Sequence, residues 1–370
     1  MKKILSLMCA ISFVAMPAAH AAVSDEDFQQ LPEQLAAVSA RLDQLAAENA
    51  ELKAAQERST TLISDVETSV AALPAASEGW ADRVTMDGDF RYRYERIDPE
   101  GSDTRTRNRI RARANIKAKV ADNIDVGFGL ATGGDDPVST NQTLGGGGSS
   151  KGVVLNLAYV DWEATDGLHL FAGKFKNPLA RAGGQPLMWD GDWTPEGLAV
   201  KFKRDWYFIN AVGSYLESDT RNSNDSFAWG GQFGVTGQLG DVKLMGGLGY
   251  YSIEAAGKST TFGDPSDPDD YFGNTAIEPG GLACGTTADV ECVYAYDYLL
   301  TQVFAEAKFD IGDWPAVVFM DYVNNSDPSD NDTGWTLGES IGQTKDRGQM
   351  KFTYFYADKE ADSMLGLLTD

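Results

Sequence analysis

Histidine and cysteine are scarce in this sequence, with 2 and 3 in 370 residues. That removes the usual ligands of zinc and iron sites and the imidazole bases of most hydrolases. No nucleophile and base stand at a recognisable spacing, and no glycine-rich phosphate loop follows a strand and opens a helix. An enzyme is not expected, and neither is a metal nor another cofactor. Positive charge is also in deficit: 31 Lys and Arg face 55 Asp and Glu, a formal net charge of −24. Nucleic-acid binding, which draws on a basic surface, is therefore not expected. Long apolar runs are missing beyond the N-terminus, because glycines and charges interrupt each one. Helical membrane spans are excluded by this, but strands that cross a membrane show only a weak alternating signal and are not.

The N-terminus holds the one apolar run. Lys2 and Lys3 precede Ile4 to Met16, and Ala19-His20-Ala21 offers a small-x-small cleavage site. This is the pattern of an export signal over residues 1–21, too short to span a bilayer that needs about 20 apolar residues. Cys9 lies within the apolar run, not at the cleavage point, so a lipoprotein is disfavoured. Cys284 and Cys292 remain in the exported chain, and two close cysteines in an oxidising compartment are expected to form a disulfide.

Residues 22–73 read as a periplasmic coiled coil. Apolar residues fall at Leu31, Leu35, Val38, Leu42, Leu45 and Leu52, then resume in register at Ile63, Val66, Val70 and Leu73. Steps of four and three are the heptad pattern. Asn49 and Gln56 at a positions and Ser59 at a d position interrupt the seam, as polar residues that fix register do. Pro74 ends the helix, and residues 74–79 form a linker.

From residue 80 the period changes to two. Met86, Gly88, Phe90, Tyr92 and Tyr94 alternate with Asp87, Asp89, Arg91, Arg93 and Glu95. Ile110, Ala112, Ala114, Ile116, Ala118 and Val120 alternate with Arg109, Arg111, Arg113, Asn115, Lys117 and Lys119. Similar runs follow, among them Leu155-Leu157-Tyr159, Phe227-Trp229-Phe233-Val235 and Met350-Phe352-Tyr354-Tyr356. The runs are longer than the roughly 5 to 6 residues of soluble strands. Short turns such as Asp166-Gly167 alternate with long Gly- and Asp-rich loops. Residues 80–370 are therefore expected to form an all-β transmembrane antiparallel barrel behind the α-helical coiled coil. A soluble β-sandwich is the competing fold. Thirteen or so strands can be picked out, whereas barrels of one chain close with an even number. Either a strand is miscounted or the last strands are missing, and the second reading is preferred because residues 357–370 resemble the start of a loop.

Two features carry candidate function. Arg91, Arg93, Arg105, Arg107, Arg109, Arg111, Arg113, Lys117 and Lys119 all fall on the face opposite the apolar residues. On a lipid face each arginine near the midplane would cost roughly 2–4 kcal/mol, so they belong in a water-filled interior. They could form a basic wall that draws in anionic solutes, or they could pair with carboxylates of neighbouring strands, and both can hold together. The second feature is the stretch from Lys174 to Glu196, whose Asp190, Asp192 and Glu196 lie among Trp189, Trp193 and several prolines and glycines. Folded inward it would bring carboxylates to the arginines as a constriction loop; as an outward cap it would not.

The chain resembles the putative porins of Gram-negative outer membranes. The residues are Ala158-Tyr159-Val160-Asp161-Trp162, Gly173-Lys174-Phe175-Lys176-Asn177-Pro178 and Trp189-Asp190-Gly191-Asp192. Pro195-Glu196-Gly197-Leu198-Ala199, Asp321-Tyr322-Val323-Asn324-Asn325 and Ala361-Asp362-Ser363-Met364-Leu365-Gly366 extend the likeness. The resemblance implies a homotrimer of barrels with about sixteen strands each, set in outer-membrane lipid and lipopolysaccharide. It also implies passive diffusion of small hydrophilic or ionic solutes. The alternative is an envelope tether whose coiled coil contacts the cell wall while the barrel anchors it. A trimeric adhesin fits less well, since nearly the whole chain here is strand-like.

Overall fold

The computed structural model describes residue 79 and residues 81–98, 103–185, 187–218 and 225–369, with scattered residues between 47 and 64. It divides into two units, residues 1–78 and 79–370. In the first unit the described residues, among them Leu52 to Ala54 and Gln56 to Arg58, are helical. The export signal, most of the heptad positions and all of the linker except Gly79 lie outside the described residues. No described helix is long and apolar enough to cross a membrane, a statement that has no bearing on strands.

The described residues of the second unit form an antiparallel sheet of 14 strands and a separate two-stranded ribbon. Its first members are β1 (Val84–Ile97), β2 (Arg105–Ala121), β3 (Ile124–Thr132), β4 (Gln142–Thr143), β5 (Val153–Thr165), β6 (Leu168–Lys174), β7 (Glu196–Lys203) and β8 (Tyr207–Glu217). They are followed by β9 (Ser226–Leu239), β10 (Val242–Ile253), β11 (Ala276–Ile277), β12 (Val293–Tyr294), β13 (Tyr298–Ile311), β14 (Trp314–Asn325), β15 (Thr333–Gly342) and β16 (Lys351–Lys359). Each long strand pairs with the next in sequence, β4 pairs with β2, and β11 with β12 form a separate ribbon. β1 and β16 are the two edges, and they are not paired with each other. Cys284 and Cys292 are bonded across the loop that carries this ribbon.

The period of two becomes two unlike faces. Phe90 is 71% exposed, Tyr94 64% and Phe352 59%, all on the outer face. The side chains of Arg109 and Arg111, on the inner face, are each 13% exposed. Apolar residues point away from the molecule and ionic ones into it, the inverse of a soluble sandwich. One expected run is corrected. A bulge shifts the register of β5 so that Gly129 faces Leu157 while Leu130 faces Leu155. Leu155 stays on the outer face, and Leu157 and Tyr159 turn inward. An extra residue reverses every side chain beyond it.

The turns between β2 and β3, β5 and β6, β7 and β8, β9 and β10, and β13 and β14 are short, and several described loops of the opposite rim fold over the inner face. Residues 175–195, the disulfide loop and the tail 360–369 meet there in an apolar core that includes Phe175, Trp189, Trp193, Tyr271, Tyr298 and Leu368. Trp189 and Trp193 stack with ring centroids 4.8 Å apart.

Glycines on the inner face make room for rings from the next strand. Gly234 lies opposite Phe208, and a Cβ there would come within 2.1 Å of the ring. Gly234→Val is therefore expected to destabilise the fold by about 1–3 kcal/mol through overpacking. Chemical unfolding in detergent, compared with Gly237→Val, where nothing lies within 4 Å, checks it.

Candidate functional site

Cross-strand pairing assembles the site from β1 and β2. Arg91 faces Arg111, Arg93 faces Arg109, Glu95 faces Arg107 and Asp89 faces Arg113. Guanidiniums placed directly opposite one another repel unless acceptors lie between them. Asp89 and Glu95 supply these. Asp89 takes Arg111 at 3.0 Å and Arg113 at 2.6 Å, one oxygen each. Glu95 takes Arg93 at 3.2 Å, Arg107 in close contact and Arg109 at 3.8 Å.

The stretch after Lys174 runs across the inner face and brings a third carboxylate. Asp192 Oδ1 lies 3.1 Å from Arg113 Nη1 and 3.2 Å from Arg111 Nη1. Thr140 Oγ1 donates to its other oxygen at 3.2 Å. Asp190 Oδ1 accepts from the Asp192 N–H at 2.6 Å, and the Asp190 N–H donates to the Leu368 carbonyl. It shapes the turn that presents Asp192. Glu196 borders the same cavity as Asp192 and Thr140 but pairs with a lysine. It is the first residue of β7, opposite Lys174, with which it forms an ion pair at 2.7 Å. Glu196 shares the outer face with the exposed Leu198, because alternation has already begun there.

The remaining basic residues divide. Arg91 donates to Asn141 Oδ1 at 2.6 Å, and Arg109 to Ser139 Oγ and the Asn141 carbonyl, each at 3.3 Å. Lys117 reaches Asp125 at 2.7 Å and Asp161 at 4.0 Å, beside His169, whose Nδ1 is 2.8 Å from Asp161. Arg105 and Lys119 are exposed near the two ends of β2. The central group thus sets six arginines (91, 93, 107, 109, 111 and 113) against three carboxylates, leaving the wall positive. Asp89, Glu95 and Thr140 are the partners that sequence reasoning did not single out. Asp89 and Glu95 could have been found by pairing β1 and β2 residue by residue. Thr140 could not, since its place depends on how the 133–152 loop folds back. In that loop burial pushes the Asp136 carboxyl above the usual carboxylate range, while Arg109 pulls it down less strongly.

The loop that carries Asp192 is fastened to the opposite side of the sheet. Gln232 on β9 clamps Ala180, accepting from its N–H at 2.7 Å and donating to its carbonyl at 3.0 Å. Glu306 on β13 accepts from the Gly183 N–H at 2.9 Å. Gln232 also donates to Gln302, which accepts from the Tyr251 hydroxyl and donates to Asp321. These buried polar groups satisfy one another and the loop backbone. Among the described residues, no group of three or more His, Cys, Asp or Glu is arranged to hold a metal ion.

Comparison with known proteins adds the following. A family model described as a putative porin matches residues 98–277. No curated protein matches the chain. Solved structures with a similar fold include OprB of Pseudomonas putida, 12% identical over 74% of this chain and 73% of that one, with a TM-score of 0.46. OmpF of Salmonella typhi is 9% identical over 78% and 95%, with a TM-score of 0.44. A loop-deletion form of OmpT of Vibrio cholerae is 14% identical over 75% and 82%, with a TM-score of 0.42.

Replacing Gln232 by Met removes both hydrogen bonds to Ala180 and leaves two buried backbone groups unsatisfied, at about 1–3 kcal/mol each. The expected outcome is faster cleavage between residues 175 and 195 in limited proteolysis. Cleavage at the wild-type rate would mean the loop is held by other contacts.

Proposed function

We propose that this chain, a putative porin by the family match over 98–277, forms an outer-membrane channel. It admits small hydrophilic and ionic solutes by passive diffusion past a charged constriction. One observation carries the reading: a single sheet turns aromatic and aliphatic side chains outward and a row of guanidiniums inward, where a loop carboxylate meets them. Such an outer face suits hydrocarbon, and such an inner face suits enclosed water.

Transport then depends on the positive wall. Paired carboxylates offset only part of its charge, and the remainder acts in confined water, where fields are screened less than at an open surface. Asp192 and the arginines together set a transverse field across the narrow part. Closure of the ring follows a parity rule. The ordered path from β1 to β16 contains 13 antiparallel strands, so its two edge strands run in the same direction. Assembly as a homotrimer in lipid and lipopolysaccharide belongs to the same proposal.

The test is conductance of the purified protein in planar bilayers. Replacing Arg109, Arg111 and Arg113 by Gln is expected to shift the zero-current potential in a salt gradient toward cations. An unchanged potential would remove these arginines from the conduction path, and an absence of channels in the wild type would remove the function.

A pH dependence is also expected. Asp136, whose proton affinity is raised, takes up a proton before ordinary carboxylates do as pH falls, and the wall near Arg109 gains positive charge. Anion preference should therefore grow as pH falls, beginning at a higher pH than an ordinary aspartate titrates, and less so in Asp136→Asn. A zero-current potential measured against pH for both proteins checks this.

A further inference from the structure

The inner face carries a second basic cluster, away from the arginine row. The ladder Lys117–Gly127–Tyr159–Gly173–Gly197 runs across the sheet on one face. Lys203 is an even number of residues along β7 from Gly197, so it shares that face. On β10 and β13, Lys243 stands directly opposite Lys308, on the same inner face as Gln302 and Glu306. Lys203, Lys243 and Lys308 line one cavity of about 520 Å³ beside the turns after β7 and β9. Thr236 and Gln238 line it too, adding a hydroxyl and an amide.

Opposed like charges on a ladder are destabilising unless something neutralises them. Two carboxylates border the cavity, Asp205 and Glu306. Glu306 is already engaged, with one oxygen 2.5 Å from Lys308 Nζ and the other accepting from the Gly183 N–H. Lys203 and Lys243 are exposed and take part in no ion pair among the described residues. The cavity therefore offers two ammonium groups outside any ion pair among the described residues, a third shared with Glu306, the Thr236 hydroxyl, and the Gln238 amide, which also donates to the Gly240 carbonyl at 2.9 Å.

We propose that this cavity is a binding subsite for polyvalent oxyanions of the phosphate kind, with Lys203 and Lys243 as its principal contacts. It rests on the reading of the inner face as water-filled, and it deepens the proposed function by naming an anion class. A phosphate group can accept from several donors at once, and ammonium-to-phosphate hydrogen bonds are charge-assisted. A monovalent halide would leave most of those donors unused. Lys308 supports the site while keeping Glu306 in place for the loop.

The test is isothermal titration of inorganic phosphate into the full chain in detergent, at constant ionic strength set by chloride. Saturable binding is expected, weakened about fivefold or more in Lys203→Gln/Lys243→Gln by the loss of two charge-assisted contacts. It should persist in Lys203→Arg/Lys243→Arg and in Arg109→Gln/Arg111→Gln/Arg113→Gln. No saturable binding by the wild type would overturn the proposal, as would binding insensitive to the lysines or lost only with the arginines. If the double Gln variant does not fold, judged by its migration on unheated gels, each single Gln variant should bind more weakly than wild type. Equal affinity in both would overturn the proposal. Bilayer conductance separates the two levels: phosphate binding without channels would sink the porin reading and spare the subsite, and channels without phosphate binding would do the reverse.

Discussion

A strand has two faces, and in this sheet they are given to opposite surroundings. That constraint governs the rest. Once Phe90, Tyr92 and Tyr94 occupy one side of β1, Asp89, Arg91, Arg93 and Glu95 must occupy the other. Adjacent strands in register stack these choices into continuous surfaces, so one face accumulates charge that no strand could tolerate alone. The arginine row of β2 is stable because β1 delivers carboxylates at matching heights. Asp89 and Glu95 each serve more than one guanidinium, and Arg111 and Arg113 are joined a second time through Asp192.

The interior is uneven as a result. Where the loops and the tail cover the inner face of β9, β13 and β14, its polar residues are dry: Gln232, Gln302 and Asp321 are all buried. They are tolerable there because each meets a partner. Against β1 and β2 the inner side chains are largely half-buried, and charge predominates. The covered stretch ends toward the short-turn rim, where Lys203, Lys243 and Lys308 are exposed around their own cavity. The apolar core of Trp189, Trp193, Tyr271 and Leu368 fills the space over the inner face that the arginines do not border.

Much of this was legible in the sequence, and the limits have physical causes. The period of two assigned faces correctly over β1 and β2, because a hairpin keeps its parity without further information. It failed at Leu157 and Tyr159, where a single bulged residue inverts parity and leaves no mark in composition. The loop after Lys174 was recognisable by its length and prolines. That Asp192 would meet Arg111 and Arg113 while Glu196 pairs with Lys174 at the start of β7 was not, because the pairing depends on how the loop crosses the inner face. The heptad positions lie largely outside the described residues, so the helical segment adds no test of that kind. The lysine cavity was invisible, since Lys203, Lys243 and Lys308 are distant in sequence and come together only through lateral pairing of strands.

The position of Asp192 is set from two directions. Ala180 and Gly183 are held on β9 and β13, and Asp192 is held on β2, so the segment between them is stretched across the interior and tied at both ends. A tie at one end alone would leave a loop free to swing, because closing a segment of that length costs little entropy. Two ties make the gap beside the arginines a function of the sheet's own width. Gly183 shows how tight this arrangement is: its φ is +62°, and a Cβ there would lie 2.3 Å from the Phe319 ring. The loop approaches the far side so closely that no side chain fits at that point. The charge facing Arg111 and Arg113 is therefore positioned by packing on β13 and β14, well away from the charges themselves.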